Sequence, residues 1–190
     1  CGKLLEGEAP PDLKDNIYRI DREVNLLEKE IRKRVVTHLS VQANVDLPFS
    51  LVLMSVVKDA ERIGDYAKNM YEISELLDKP IDRKSYDELF GDMDKKILRE
   101  FAETRSAFIN SEKATARKVL ELEREIVKKC DQVVKNLAES DYPTNLAVSL
   151  VLLARYMKRV AAHLANIGSS VVLPIQDLDF FDEKLRHTKN

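Results

Sequence analysis

The sequence predicts an all-α fold, an antiparallel bundle of long helices, and three observations carry that expectation. Only five glycines and six prolines interrupt 190 residues, tryptophan is absent, and 34% of the residues are charged, a composition that suits long, solvated helices. Apolar residues recur three and four apart over many turns, the period of one helix face. Gly7 with Pro10 and Pro11, Pro48, Pro80, Gly91, Pro143 and Pro174 divide the chain into lengths suited to multi-turn helices, so few positions are left for loops.

Taken in order, Gly7, Pro10 and Pro11 precede a first predicted helix from Asp12 to about Ser40. Its apolar face is Ile17, Ile20, Val24, Leu27, Ile31, Val35 and Leu39, with Pro11 suited to the first turn. A second helix should run from about Leu47 to Lys79 on a seam of Val56, Ala60, Ile63, Ala67, Met70 and Leu77, and Pro80 stops it. The third, from about Lys84 to Asn110, places Leu89, Met93, Ile97, Phe101, Thr104 and Phe108 on one stripe. Gly91 is its weak point, where it should fray or kink. After a turn at Ser111 the fourth helix extends to about Glu139 with Val119, Leu122, Ile126, Cys130, Val133 and Leu137 inward. The fifth begins near Pro143 and reaches about Val172. From Pro174 onward, with Asp177, Asp179, Phe180 and Phe181, a short irregular tail is expected.

The second and fifth predicted helices read as copies of one another. Aligning Leu53 with Leu150 also sets Lys58 on Arg155, Arg62 on Arg159, Ile63 on Val160, Gly64 on Ala161 and Asn69 on Asn166. An internal duplication follows, with units over residues 1–80 and 81–175 and a tail over 176–190.

Lys and Arg number 31 against 33 Asp and Glu, a formal charge of -2, so broad attraction to nucleic acid or an anionic membrane is not suggested. The basic runs Arg32-Lys33-Arg34 and Lys128-Lys129 are interleaved with acids, as on a solvated helix face. The uncharged run from Val160 to Gln176 contains His163, Asn166, Gly168 and Pro174 and reads as a buried bundle helix, not a membrane span. Cys1 and Cys130 form neither a disulfide framework nor a metal-ligand pair, and Cys130 reads as a small apolar residue in a reducing compartment.

The sharpest local feature is Asp59-Ala60-Glu61-Arg62-Ile63-Gly64-Asp65-Tyr66-Ala67-Lys68-Asn69. Glu61 and Asp65 stand one turn apart on the same face, an arrangement that costs a few tenths of a kcal/mol unless something compensates. A hard or borderline cation would do so, helped by Asp21, Asn25 and Glu28 of the first helix. Lys58, Arg62 and Lys68 offer the local alternative of a salt-bridged face, which spacing alone favours. Gly64, inside a long helix, points to close approach of a neighbouring helix.

The stretch Val57 to Met70, with its Glu-Arg-Ile-Gly-Asp core, resembles the signature of PhoU proteins and PhoU-like domains, and Asp21-Arg22-Glu23-Val24-Asn25 is similar to the preceding family helix. That resemblance implies two three-helix repeats, of which the first would lack its leading helix, so that the chain would be a fragment of a longer protein. It implies a non-catalytic, cytoplasmic negative regulator of phosphate uptake that can sit at the inner face of the membrane, in contact with a phosphate transporter and, in bacteria, a sensor kinase. Carried over by residue, Glu61, Asp65 and, more weakly, Asp21 become metal-ligand candidates for iron, zinc, manganese or magnesium. Lys158 and Ala162 occupy the motif positions of the second copy, so one site at most is expected. An uncovered seam in the first unit implies a homo-oligomer.

Two other readings compete: the cytoplasmic tail of a sodium-dependent phosphate cotransporter, and a generic helical adaptor without metal. A di-iron carboxylate enzyme would need Glu-x-x-His pairs, and none of His38, His163 or His187 has Glu three residues before it. Neither G-x-S-x-G nor a phosphate-binding glycine loop occurs. No catalytic residue is nominated.

Overall fold

The structure, a computed structural model, describes residues 5–41 and 46–178. Among the described residues it contains α1 (Leu13–Val41), α2 (Leu47–Leu76), α3 (Arg83–Phe90), α4 (Met93–Asn110), α5 (Lys113–Ala138), α6 (Thr144–Ser169) and a 3-10 turn, Ile175–Asp177.

Punctuation residues set the boundaries. Gly91 adopts φ +61°, open to glycine without the steric cost a Cβ would bring, and divides the predicted third helix into α3 and α4. Asp82 caps α3 by accepting from the Ser85 backbone N–H at 3.0 Å. Ser111 closes α4 in the left-handed region. The carbonyl of Leu76, left over at the end of α2, accepts from Asn145 Nδ2 at 2.6 Å, so α6 supplies the cap that α2 lacks. That contact ends α2 three residues before the predicted Lys79. Likewise α6 stops at Ser169, short of Val172. The tail begins as the 3-10 turn and buries Leu178; Asp179, Phe180 and Phe181 lie outside the described residues, as do Cys1 and His187.

Neighbouring long helices run antiparallel. Lys14 reaches Glu75 and Asp21 reaches Lys68 between α1 and α2. Lys96 meets Glu125 between α4 and α5, and Val119 lies against Gly168 between α5 and α6. One apolar cluster joins α2, α5 and α6, including Val56, Ile63, Met70, Ile126, Leu153, Met157 and Val160.

The six seam residues predicted for α5 are all buried. Cys130 is among them, its Sγ 3.9 Å from Met93 Sδ; burial first, then nearby Asp131, pushes its thiol up to about 12, which leaves it inert as a nucleophile.

Elsewhere the buried faces are rotated from the predicted seams. On α1 only Val35 is buried, while Ile20 and Leu27 are 49% and 56% exposed, and Asp21 and Glu28 turn partly inward instead. On α2, Ala60 and Ala67 are exposed, and Val57, Asp59 and Ile73 are buried. On α4, Phe101 is exposed and Glu100 is buried. Ala67 and Phe101 share a largely apolar groove of about 500 Å³ with Ile63, Ile97, Leu98 and Val160.

Gly64 differs from its expectation too. A Cβ there would meet Val24 Cγ1 at 4.0 Å, an ordinary contact, whereas at Gly168 it would stand 3.0 Å from Cγ1 and 3.3 Å from Cβ of fully buried Val119. Close helix approach therefore needs Gly168, not Gly64. Gly64→Ala should stabilise by about 1 kcal/mol through helix propensity, and Gly168→Val should destabilise by about 1–3 kcal/mol through overpacking. Thermal melts of the two variants moving in the same direction would contradict this.

Candidate metal centre

The acidic motif lies on the flank of α2 that faces α1. There Glu61, Asp65 and Lys68 meet Asp21, which the antiparallel pairing of the two helices brings level with them. Lys68 Nζ stands 3.2 Å from both Asp21 Oδ1 and Asp65 Oδ1, and Arg62 Nη1 is 3.1 Å from Asp65 Oδ2. Arg62 Nε is 3.6 Å from Glu61 Oε2. All three acids are partly shielded, with side chains 14%, 18% and 26% exposed for Asp21, Glu61 and Asp65.

Electrostatics at the motif are uneven. Burial raises the Glu61 carboxyl above its ordinary range, Asp65 raises it further, Arg62 opposes the rise, and Glu28 and Asp21 add to it. Lys68 is raised as well: burial alone would lower it, but hydrogen bonds to Asp21 and Asp65 outweigh that together. The donor set is all oxygen, the chemistry of a hard cation, but Lys68 and Arg62 now hold those oxygens. Among the described residues no three His, Cys, Asp or Glu side chains stand so that they could hold a metal ion.

The second copy is built differently. Lys158 pairs with Asp131 of α5, and Ala162 has no polar side chain. The cation that the front half borrows from Lys68 is here part of the motif position itself.

On its other flank α2 packs against α6 through a polar clasp that periodicity does not reveal. Asp59, 1% exposed, accepts from Asn166 Nδ2 at 3.3 Å and lies 2.7 Å from His163 Nδ1. His163 stacks on Tyr66 at 5.7 Å, Tyr66 lies 5.8 Å from Tyr156, and Arg159 Nε donates to the Tyr66 hydroxyl at 3.2 Å. The register that sets Leu53 on Leu150 also sets Tyr66 on His163 and Asp59 on Tyr156. The contacts Asp59–His163 and Tyr66–Tyr156 are thus one contact seen from the two halves, with an approximate two-fold axis at the Tyr66–His163 stack. Of the other histidines, His38 is an exposed helix-end residue 3.2 Å from Asp46.

Comparison with known proteins places this arrangement. The family model described as the PhoU domain matches residues 5–74 and 90–171, more than half of the chain in two stretches. A phosphate-specific transport system accessory protein PhoU homolog from Synechocystis sp. is 26% identical over 181 residues, covering 88% of this chain and 76% of the relative. A second such homolog, from Thermotoga maritima, is 32% identical over 65 residues, 34% of this chain and 28% of its own length. The crystal structure of the phosphate transport system regulatory protein PhoU from Streptococcus pneumoniae superposes with a TM-score of 0.74 at 20% identity, covering 85% of this chain and 78% of the other.

Asp59→Ala would strand His163 and Asn166 at a buried interface and should cost about 1–3 kcal/mol. Arg19→Ala, which removes an exposed pair with Glu23 and a long, exposed bond to Asn16 Oδ1, should cost about 0.5 kcal/mol or less. Equal losses in urea melts of the two variants would contradict the clasp.

Proposed function

The chain belongs to the PhoU domain family, and on that premise we propose that it acts as a non-catalytic regulator of phosphate transport that works by binding partners. The match to the family in two stretches, on a bundle whose centre relates the halves by an approximate two-fold axis, carries this reading. The partners it suggests are a phosphate transporter and a sensor kinase. No described helix is long and apolar enough to cross a membrane, and a position at the cytoplasmic face beside such a transporter is part of the proposal. The exposed apolar side chains of the front half, Ile20, Leu27 and Phe49 among them, suit self-association.

Glu61 and Asp65, with Asp21 as a third ligand, would hold a divalent or ferric ion once Lys68 is displaced. Iron, zinc, manganese and magnesium all accept such oxygen donors, and bound metal would supply charge to fix α1 against α2. In its absence Lys68 and Arg62 act as built-in counter-ions, which a metal must outcompete. Removing the ammonium should therefore strengthen binding.

Saturating metal should raise the melting temperature through linkage, by an amount equivalent to about 2.7 kcal/mol at a hundredfold excess over Kd. The contribution of this site should vanish in Glu61→Ala with Asp65→Ala and grow in Lys68→Ala. A response unchanged by all three substitutions would remove the site and leave an adaptor without metal at this motif. Light scattering of the same samples should give a mass above the monomer, and a clean monomer at high concentration would count against self-association.

A further inference from the structure

A second set of acidic groups is buried away from the motif, where α4 packs on α5. Glu100 is fully buried, and neither of its carboxyl oxygens has a hydrogen-bond partner. Thr104, one turn further along the same face and 3% exposed, also has an unpartnered hydroxyl. Glu123 of α5 is 4% exposed, and its charge bears directly on Glu100.

A carboxyl group stripped of water must regain donors, keep a proton or meet a cation, because an unsatisfied buried charge costs several kcal/mol. Several basic side chains on the same helices are engaged on the outside of the bundle: Lys96 holds Glu125 and Asp92, and Arg99 holds Glu103. The simplest local remedy, a hydrogen bond from the Thr104 hydroxyl to the carboxyl one turn before it, is not made. The Glu100 and Thr104 oxygens thus lie on one face of α4, buried and not bonded to one another. Burial, then the nearby Glu123, pushes the Glu100 carboxyl up to about 9, the direction expected of a buried carboxyl without donors.

We propose that Glu100, Glu123 and Thr104 form an internal site for a single hard divalent cation between α4 and α5, separate from the Glu61–Asp65 motif. Two carboxylates balance the charge of one divalent ion, and an all-oxygen set selects manganese, magnesium or calcium over softer metals.

The experiment uses the full chain stripped with chelator and titrated with manganese, magnesium or calcium, read by thermal melting and by calorimetric affinity. Glu100→Gln keeps the shape and removes the ligand charge, Glu123→Gln does so from the other helix, and far-UV circular dichroism verifies that each variant is folded. Wild type and the Glu61→Ala, Asp65→Ala double variant should both gain melting temperature on adding cation. Glu100→Gln and Glu123→Gln should each lose the gain that survives in the double variant, with affinity at this site down at least tenfold. Loss of the whole gain in the double variant, with Glu100→Gln responding like wild type, would overturn this site and leave the motif site intact. Glu100→Gln melting higher than stripped wild type, with the double variant unresponsive to every cation, would overturn it in favour of two carboxyl groups that merely share a proton.

Discussion

The packing of α2 against α6 is the constraint on which the rest of the structure depends. Each is the homologous helix of its half, and they cross antiparallel through one apolar cluster that includes Ile63, Met70, Leu153, Met157 and Val160. Burying such side chains contributes about 1.5–3 kcal/mol each, whereas the exposed ion pairs along α1, such as Arg19–Glu23 and Arg34–Glu30, contribute roughly 0–1 kcal/mol. The seam, not the surface charges, decides the fold. Because α2 and α6 spend one flank on each other, their other flanks are left for α1 and α5, and the acidic motif sits on the outer flank of α2.

The same geometry makes the halves chemically unequal. In the front half three partly shielded acids, Asp21, Glu61 and Asp65, share two cations of α2, Lys68 and Arg62. In the back half a lysine stands at the motif position and pairs with Asp131, so its charge is settled within the chain. A duplicated scaffold thus presents one flank where three acids meet two cations and one where a single lysine pairs with an aspartate.

Helix order was legible because the apolar period is strong and the breakers Pro80, Ser111 and Pro143 are well placed, but five helices were expected where six stand among the described residues, because Gly91 divides the third and does not merely kink it. The buried face was legible only where a helix is covered on all inward sides, as in α5. For α1 and α4, half exposed, periodicity could not separate a seam through Ile20 and Leu27 from one through Asp21 and Glu28, nor foresee that Glu100 and not Phe101 is inside. The pairing of Glu61 with Asp65 follows from helix geometry, and the family likeness pointed to Asp21, but that Lys68 bridges Asp21 to Asp65 depends on how α1 and α2 align. Asp59 and His163 lie 104 residues apart, beyond any local pattern. The internal register that sets Tyr66 on His163 was the one available signal.

The central claim, that the α2–α6 seam binds two related units into one cooperative body, is tested most directly by native-state hydrogen exchange resolved to single amides. Amides around Ile63 to Met70 in α2 and around Met157 to Leu164 in α6 should open with the same free energy, equal to that of global unfolding. Amides of α2 exchanging through a separate, much less costly opening while α6 stays protected would contradict it.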